Sequence, residues 1–210
     1  MYRKLIHRKL ILASASPRRR ELLAQVGADF IVLPAAGEER ITKEQPQEAV
    51  MELALQKAME VAERIAKGEI PQTGDGMLVL GADTVVVCDG RILGKPRDEG
   101  DAVEMLTRLQ GRTHQVFTGV ALIDMPGDGQ RVSRFYQETQ VEMFPVSEAE
   151  ILDYVKSGEP MDKAGAYGIQ GRGVLLVREI RGDYSNVVGL PVAELYQRLG
   201  QLGIEISAKE

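Results

Sequence analysis

The chain has 210 residues, which is long enough to bury a substantial core. Apolar residues make up 44% and charged residues 27%, as in ordinary soluble globular proteins, and the net charge of −5 argues against a general nucleic-acid binder. The single cysteine, Cys88, excludes an internal disulfide framework, and with only two histidines it excludes a Cys/His zinc cluster. We therefore expect a protein of the reducing cytoplasm. We expect no membrane partner, because no stretch is apolar for long enough to span a bilayer.

The first predicted element is a buried strand, residues 10–12, which leads into a helix. Ser16 suits the helix N-cap and Pro17 the first helical position. Three arginines, residues 18–20, occupy the first helical turn, where cations oppose the helix macrodipole. Together with free N–H groups and the hydroxyls of Ser14 and Ser16, they predict an anion site. The alternative at this point is that the arginines are solvated surface charges.

Helices and strands alternate along the rest of the chain, as the apolar spacing predicts. The predicted helices are residues 46–67, 98–111, 149–158 with a capping box from Ser147 and Glu150, and 192–203. The predicted strands lie within residues 29–40, 77–93 with a hairpin at Asp89-Gly90, 113–125, 130–144, and a strand pair within 174–191. Predicted loops are residues 68–76, 126–129 and the glycine-rich 162–173.

This order of elements predicts an α/β fold with a mixed twisted sheet and flanking helices. Several strand pairs are joined by tight turns, so the sheet is not purely parallel. No linker-like stretch divides the chain, and we expect a single domain over residues 1–210, as one compact unit or as two lobes around a cleft. We assign no function to the basic lead, residues 1–9.

One carboxylate lies in an unusually apolar setting. Asp83 is part of the run LGADTVVV, where a charge costs free energy unless it is paired, hydrogen-bonded or bound to a metal. We interpret it as a metal ligand or a general base. The alternative is a structural aspartate whose oxygens accept local N–H groups.

Lysines near glycines or on an apolar face add candidate phosphate ligands. Lys57 lies on the apolar side of the long helix, Lys95 in a Gly-Lys-Pro turn and Lys163 in the glycine-rich loop. For Lys57 and Lys95 the alternative is a solvated side chain. No Walker A sequence is present. The predicted cations suit the binding of a polyphosphate, and the predicted carboxylates suit the binding of a divalent ion. This combination favours direct attack by water on the phosphate. The set consists of Arg18, Arg19, Lys57, Lys95, Lys163, Glu39 and Asp83.

Five segments, in this order and spacing, resemble the Maf family of nucleoside triphosphate pyrophosphatases: LASASPRRRELL, GADTVVV, GKP, DKAGAYGIQGRG and GDYSNVVGLP. The resemblance runs from about Leu10 to about Leu199. It implies a mixed α/β fold with a deep cleft between two lobes, related to the inosine triphosphatase fold. It also implies hydrolysis of a nucleoside triphosphate to the monophosphate and pyrophosphate, dependent on Mg²⁺ or Mn²⁺. A homodimer is common in such folds.

The resemblance also implies roles for individual residues. The proton acceptor falls on Asp83 and the metal-associated glutamate on Glu39, while Arg18, Thr84 and Gln170 fall on positions linked to substrate choice. The glycine-rich loop resembles that of the subgroup that prefers dTTP and UTP. Two alternatives stay open: a 7-methyl-GTP pyrophosphatase of the same family, and a non-enzymatic regulator of cell division that binds nucleotides. The implied substrate-binding set is Ser14, Arg18, Arg19, Lys57, Thr84, Lys95, Lys163 and Gln170.

Overall fold

The computed structural model describes residues 6–70, 76–126 and 129–206, which form an α/β protein with a mixed sheet flanked by helices. The strands are β1 (Ile6–His7), β2 (Lys9–Leu12), β3 (Phe30–Val32), β4 (Met77–Cys88), β5 (Arg91–Leu93), β6 (Thr113–Met125), β7 (Arg131–Met143), β8 (Val177–Arg181) and β9 (Ile204–Glu205). The α-helices are α1 (Pro17–Gln25), α2 (Pro46–Ala66), α3 (Glu99–Leu109), α4 (Glu148–Lys156), α5 (Tyr184–Val188) and α6 (Val192–Leu202). No helix in the described ranges is both long and apolar enough to cross a lipid bilayer.

The described residues divide into two compact units. The first contains those within Met1–Asp83, Gly119–Tyr136 and Gly189–Glu210, and the second those within Thr84–Thr118 and Gln137–Val188. A single domain with a cleft between two lobes stays a prediction from the sequence.

In the first unit, β2 is the centre of a parallel arrangement. It pairs with β3 on one side, where Leu10 is opposite Phe30, and with β4 on the other, where Leu10 is opposite Leu78. The parts of β6 and β7 in this unit follow β4 in the strand order. The apolar face of α2 supplies much of the core. The buried cluster consists of Ile11, Ala13, Ala54, Ala58, Val61, Ala62, Ile65, Met77, Val79, Ala121, Ile123 and Met125.

Two glycines let α2 lie directly on the strands beneath it. A Cβ atom added at Gly81 in β4 would overlap the carbonyl oxygen of Ala54, and one at Gly119 in β6 would overlap the backbone of Val50. Larger residues at these positions would push the helix away from the sheet. The close approach brings Lys57, one turn beyond Ala54, to the middle of β4, where Asp83 lies.

In the second unit, the remaining parts of β4, β6 and β7 continue the strand order, with β5 beside β4 and β8 beside β7. The predicted hairpin at Asp89-Gly90 is confirmed, since β4 and β5 pair antiparallel with Val86 opposite Leu93. Helices α3 and α4 cover this part. Its core contains Val86, Cys88, Leu93, Ala102, Leu106, Leu109, Val116, Val141, Met143, Ile151, Tyr154, Val155, Ala166, Tyr167 and Leu176.

The predicted capping box at the start of α4 is also confirmed. The Ser147 hydroxyl accepts the N–H of Glu150, whose carboxylate accepts the N–H of Ser147. The predicted helices agree with α2, α3, α4 and α6 to within a few residues, and the three longest predicted strands with β4, β6 and β7. The parts of the predicted loops at residues 71–75 and 127–128 lie outside the described residues.

The predicted strand pair within residues 174–191 is wrong. The chain there forms a 3₁₀ turn, the single strand β8 and then the short helix α5. The carboxylate of Asp183 accepts both the N–H and the hydroxyl of Ser185, each at 2.7 Å, which folds the chain into a turn at the start of α5. A polar side chain that binds the backbone two residues ahead thus outweighs the strand preference of the β-branched Val187 and Val188.

The described part of the N-terminal lead is structural. Strand β1 pairs in parallel with β9, where Ile6 is opposite Ile204. Arg8 is buried, and its Nε donates to Oδ1 of Asp124 at 2.7 Å. Because both side chains are buried, loss of either partner would destabilise the protein.

Candidate active site

The turn between β2 and α1 is braced by its own polar groups. The Ser14 hydroxyl accepts the N–H of Ser16 at 3.2 Å and Nη1 of Arg19 at 3.0 Å. Ser16 and Pro17 occupy the predicted N-cap and first helical positions, but in the described structure Ser16 makes no side-chain capping hydrogen bond. A hydroxyl that accepts two hydrogen bonds can still donate one, so Ser14 keeps the capacity to donate to a ligand.

The three arginines of the first helical turn differ in their surroundings. Arg20 is exposed and Arg18 half-buried, whereas Arg19 is buried and donates from Nε to the carbonyl oxygen of Gly189 at 2.8 Å. Burial lowers the pKa of Arg19, the Asp83 carboxylate raises it, and the charge of Arg18 lowers it further. Arg19 therefore stabilises the turn through its hydrogen bonds to Ser14 and Gly189. Its contact with substrate stays a prediction.

Lys57 joins two carboxylates that the sequence placed in the site. Its Nζ lies 2.5 Å from Oδ1 of Asp83 and 3.0 Å from Oε1 of Glu39. The Lys57 and Asp83 side chains are only 15% and 13% exposed, while that of Glu39 is 52% exposed. Lys57 does not extend into solvent, and Asp83 has a lysine as its partner. This arrangement joins a cation from α2 to carboxylates from β4 and from the segment after β3.

Thr84 begins the second unit and lies at one end of a buried polar network. Its hydroxyl is 2.9 Å from that of Thr118, which in turn donates to the carbonyl oxygen of Asn186 at 3.0 Å. Because a hydroxyl has one proton, Thr84 is the donor to Thr118. The Asn186 amide donates to the carbonyl oxygen of Val116 and the hydroxyl of Thr139. Asn186 lies within the GDYSNVVGLP segment, but the sequence of that segment did not predict this hydrogen-bond network.

The second unit also brings together two of the predicted lysine-bearing loops. The N–H of Gly165 donates to the carbonyl oxygen of Gly94 at 3.0 Å, which ties the turn that carries Lys95 to the glycine-rich loop. Lys163 donates to the carbonyl oxygen of Glu159 and to Oδ1 of its neighbour Asp162. The side chain of Lys95 is exposed, as is that of Gln170 further along the loop.

Glu159 and Tyr154 give the glycine-rich loop its shape. The Glu159 carboxylate accepts the Tyr154 hydroxyl at 2.9 Å and the N–H groups of Arg172 and Gly173 at 2.8 and 3.1 Å. The N–H of Gly168 donates to the Tyr154 hydroxyl at 3.2 Å. The loop that carries Lys163 and Gln170 is thus anchored from the end of α4, which sequence reasoning did not predict.

A buried histidine contacts the same loop. His114 Nε2 lies 2.7 Å from the hydroxyl of Tyr167, and the two rings meet edge to face. Burial lowers the pKa of His114 to about 4, so the ring is neutral at neutral pH. Its Nδ1 is a buried atom without a hydrogen-bond partner among the described residues.

Comparison with known proteins agrees with the resemblance noted above. A family model described as Maf-like protein matches residues 9–202. A protein named dTTP/UTP pyrophosphatase from Agathobacter rectalis is 53% identical over 206 residues, which covers 94% of this chain and 99% of the relative. One of the same name from Symbiobacterium thermophilum is 51% identical over 199 residues, covering 94% and 96%. A probable bifunctional dTTP/UTP pyrophosphatase/methyltransferase protein from Homo sapiens is 47% identical over 206 residues, covering 95% of this chain and 33% of the relative.

Proposed function

The chain belongs to the Maf family, and from this membership we propose that it hydrolyses nucleoside triphosphates, dTTP and UTP above all, to the monophosphate and pyrophosphate. Relatives that carry the name dTTP/UTP pyrophosphatase and are 53% and 51% identical over nearly the whole chain support this substrate class. In the geometry, the supporting observation is the ammonium group of Lys57 between the carboxylates of Glu39 and Asp83.

Asp83 is the proposed proton acceptor for the attacking water. Its carboxylate is mostly shielded from solvent and is oriented by Lys57 at 2.5 Å. A positioned carboxylate of this kind can take a proton from water as the bond to the phosphoryl group forms and pyrophosphate leaves. Lys57 and Arg18 carry the positive charge that the phosphate oxygens need, and Ser14 offers a hydroxyl donor at the turn before α1.

A divalent cation, Mg²⁺ or Mn²⁺, is part of the proposal, with Glu39 and Asp83 as its protein ligands. Their oxygens converge on one cationic atom, Nζ of Lys57, so the pair fits a small positive ion. Among the described residues no group of three or more His, Cys, Asp or Glu side chains could hold a metal ion. In many Mg²⁺ sites one or two carboxylates are completed by substrate phosphates and water, and Glu39 and Asp83 would supply these two carboxylates. When bound, such an ion supplies Lewis-acid stabilisation of phosphate charge.

Compartment, assembly and base selection belong to the same proposal. A cytoplasmic location is supported by the one cysteine, Cys88, which is a buried free thiol. A homodimer and the absence of nucleic-acid binding stay predictions. So does substrate binding by Lys95 and Lys163, and by Thr84 and Gln170, whose polar groups would reject bases that leave them unpaired.

The test is a panel of nucleoside triphosphates, including dTTP, UTP, dATP, dGTP and 7-methyl-GTP, with products separated by chromatography. We expect monophosphate and pyrophosphate, the highest kcat/KM for dTTP and UTP, no turnover in EDTA, and recovery on addition of Mg²⁺ or Mn²⁺. Diphosphate and orthophosphate as products would contradict the reaction. The highest kcat/KM for 7-methyl-GTP would contradict the substrate class. Nucleotide binding without turnover under all metal conditions would favour the non-enzymatic regulator.

A further inference from the structure

The segment that carries Glu39 has no regular secondary structure and lies against helix α2. Residues 36–45 are all exposed, so apolar burial contributes little to their position. Three polar side chains of α2, spaced four residues apart, contact the backbone of this segment: Glu52, Gln56 and Glu60. We call these three the brace residues. Residues four apart lie on one face of a helix, so the three form a continuous row.

The two outer brace residues hold the ends of the segment. Glu60 accepts the N–H groups of Ala36 and Gly37, each at 2.9 Å. Glu52 accepts the N–H of Thr42 at 2.8 Å and its hydroxyl at 2.6 Å. Both contacts use an ionised side chain, and charge-assisted hydrogen bonds are stronger than neutral ones.

The central brace residue, Gln56, binds the backbone next to Glu39. Its Oε1 accepts the N–H of Arg40 at 3.0 Å, and its Nε2 donates to the carbonyl oxygen of Arg40 at 2.6 Å. This pair of bonds uses both the donor and the acceptor of one carboxamide, so it fixes the Arg40 peptide groups in orientation as well as distance. The next residue of α2, Lys57, contacts the Glu39 carboxylate itself.

We propose that Gln56 is a positioning residue that holds Glu39 in place beside Asp83 for binding a divalent cation. The proposal rests on the metal-binding role of Glu39 in the proposed function. The Glu39 side chain is 52% exposed, so its position depends on how its backbone is held. Residues around a metal site that orient its ligands typically lower the metal affinity 10- to 100-fold when they are replaced.

The experiment replaces Gln56 by Met. Methionine has a side chain of similar length, but it removes both hydrogen bonds and adds no charge. The matched control is Gln197→Met, at an exposed position on α6. Mn²⁺ affinity is measured without nucleotide by isothermal titration calorimetry, and the Mg²⁺ activation constant, kcat and thermal melting are measured on the same preparations. Gln56→Ala is made in parallel, so that an unfolded Met variant does not end the test.

We expect Gln56→Met to weaken Mn²⁺ binding about 10-fold and to raise the Mg²⁺ activation constant to a similar extent. At saturating Mg²⁺, kcat should stay within about threefold of the parent, because Asp83 and Lys57 are unchanged. Hydrogen exchange at residues 36–42 should be faster, and Gln197→Met should behave as the parent. Unchanged Mn²⁺ affinity in a folded Gln56 variant with faster exchange would overturn the proposal, because Gln56 would then support only the local backbone.

A Glu39→Gln variant separates this inference from the proposed function. If Glu39→Gln weakens Mn²⁺ binding and Gln56→Met does not, only the positioning role fails. If Glu39→Gln leaves Mn²⁺ binding and the Mg²⁺ activation constant as in the parent, the proposed metal site is wrong, and the positioning role fails with it.

Discussion

The ammonium group of Lys57 lies 2.5 Å from Oδ1 of Asp83, and this contact joins helix α2 to the middle of strand β4 at the candidate active site. The same ammonium group lies 3.0 Å from Glu39. One cation and two carboxylates therefore share a small volume, and each of the three can be changed separately.

Replacing Asp83 by Asn tests the proton acceptor. The amide keeps an oxygen for Lys57 but loses the basicity, so kcat should fall by roughly 100-fold or more. The melting temperature should stay close to that of the parent, because Lys57 still pairs with Glu39. The control is Asp89→Asn, which changes an exposed partner of Arg112 and should leave kcat unaltered. A stable Asp83 variant with more than about a tenth of the parental kcat would remove Asp83 from this role.

Replacing Lys57 by Met should change metal and nucleotide binding in opposite directions. Without the ammonium group the two carboxylates lose their shared cation, so Mn²⁺ should bind about 10-fold more tightly in the absence of nucleotide. The KM for dTTP should rise, because a positive charge for the phosphates is lost. Calorimetric titration with Mn²⁺ and steady-state kinetics measure the two effects. Lys67→Met, at an exposed position just after α2, is the control. Weaker Mn²⁺ binding in Lys57→Met would show that the carboxylates need Lys57 to stay in position.

Gly81→Ala should destabilise the protein. The added Cβ would overlap the carbonyl oxygen of Ala54 and lie 3.0 Å from the Cβ of Ala58, so α2 would have to move away from β4. We expect a loss of about 1–3 kcal/mol in the free energy of unfolding, measured by urea denaturation. Gly200→Ala is the control, because Gly200 is helical with open space around it, and it should stabilise by about 0.5–1 kcal/mol. Equal stability of the two variants would contradict the close approach of α2.

The buried imidazole of His114 should make stability depend on pH. Burial lowers its pKa from 6.5 to about 4 in the folded protein. Between these values the unfolded chain binds a proton that the folded chain does not, so the free energy of unfolding falls as the pH falls through this window. The loss in the free energy of unfolding reaches about 3 kcal/mol below the folded pKa, and there is no loss well above the unfolded pKa.

His114→Gln measures this effect, since glutamine can still reach the Tyr167 hydroxyl but does not titrate. The parent should lose more stability than the variant between about pH 7 and about pH 5 in denaturant unfolding. The same loss in both proteins would mean that His114 is protonated in the folded state as readily as in the unfolded chain.

Most helices and strands could be predicted from the sequence because their signals are local. The capping box of Ser147 and Glu150, the Asp89-Gly90 turn and the helical spacing in α2 each involve residues within one or two turns of chain. The prediction was wrong in residues 174–191, where the Asp183 side chain folds the backbone and β-branched residues suggested strands. Local composition is a weak guide where one side chain supplies the backbone with a different partner.

The chemical types in the candidate site could also be predicted, since a carboxylate in an apolar strand needs a partner wherever it lies. The apolar run around Asp83 indicated that this carboxylate would be paired, hydrogen-bonded or bound to a metal, and Lys57 and Glu39 were predicted as members of the same site. Three contacts could be known only from the folded arrangement: Lys57 with both carboxylates, Arg19 with the carbonyl oxygen of Gly189, and Gln56 with the backbone beside Glu39. The physical reason is that these contacts join residues 16 to 170 positions apart in the chain. The contacts of Lys57 and Gln56 depend on how α2 lies against β4 and the segment after β3, whereas the periodicity of a single element records only which of its faces is buried.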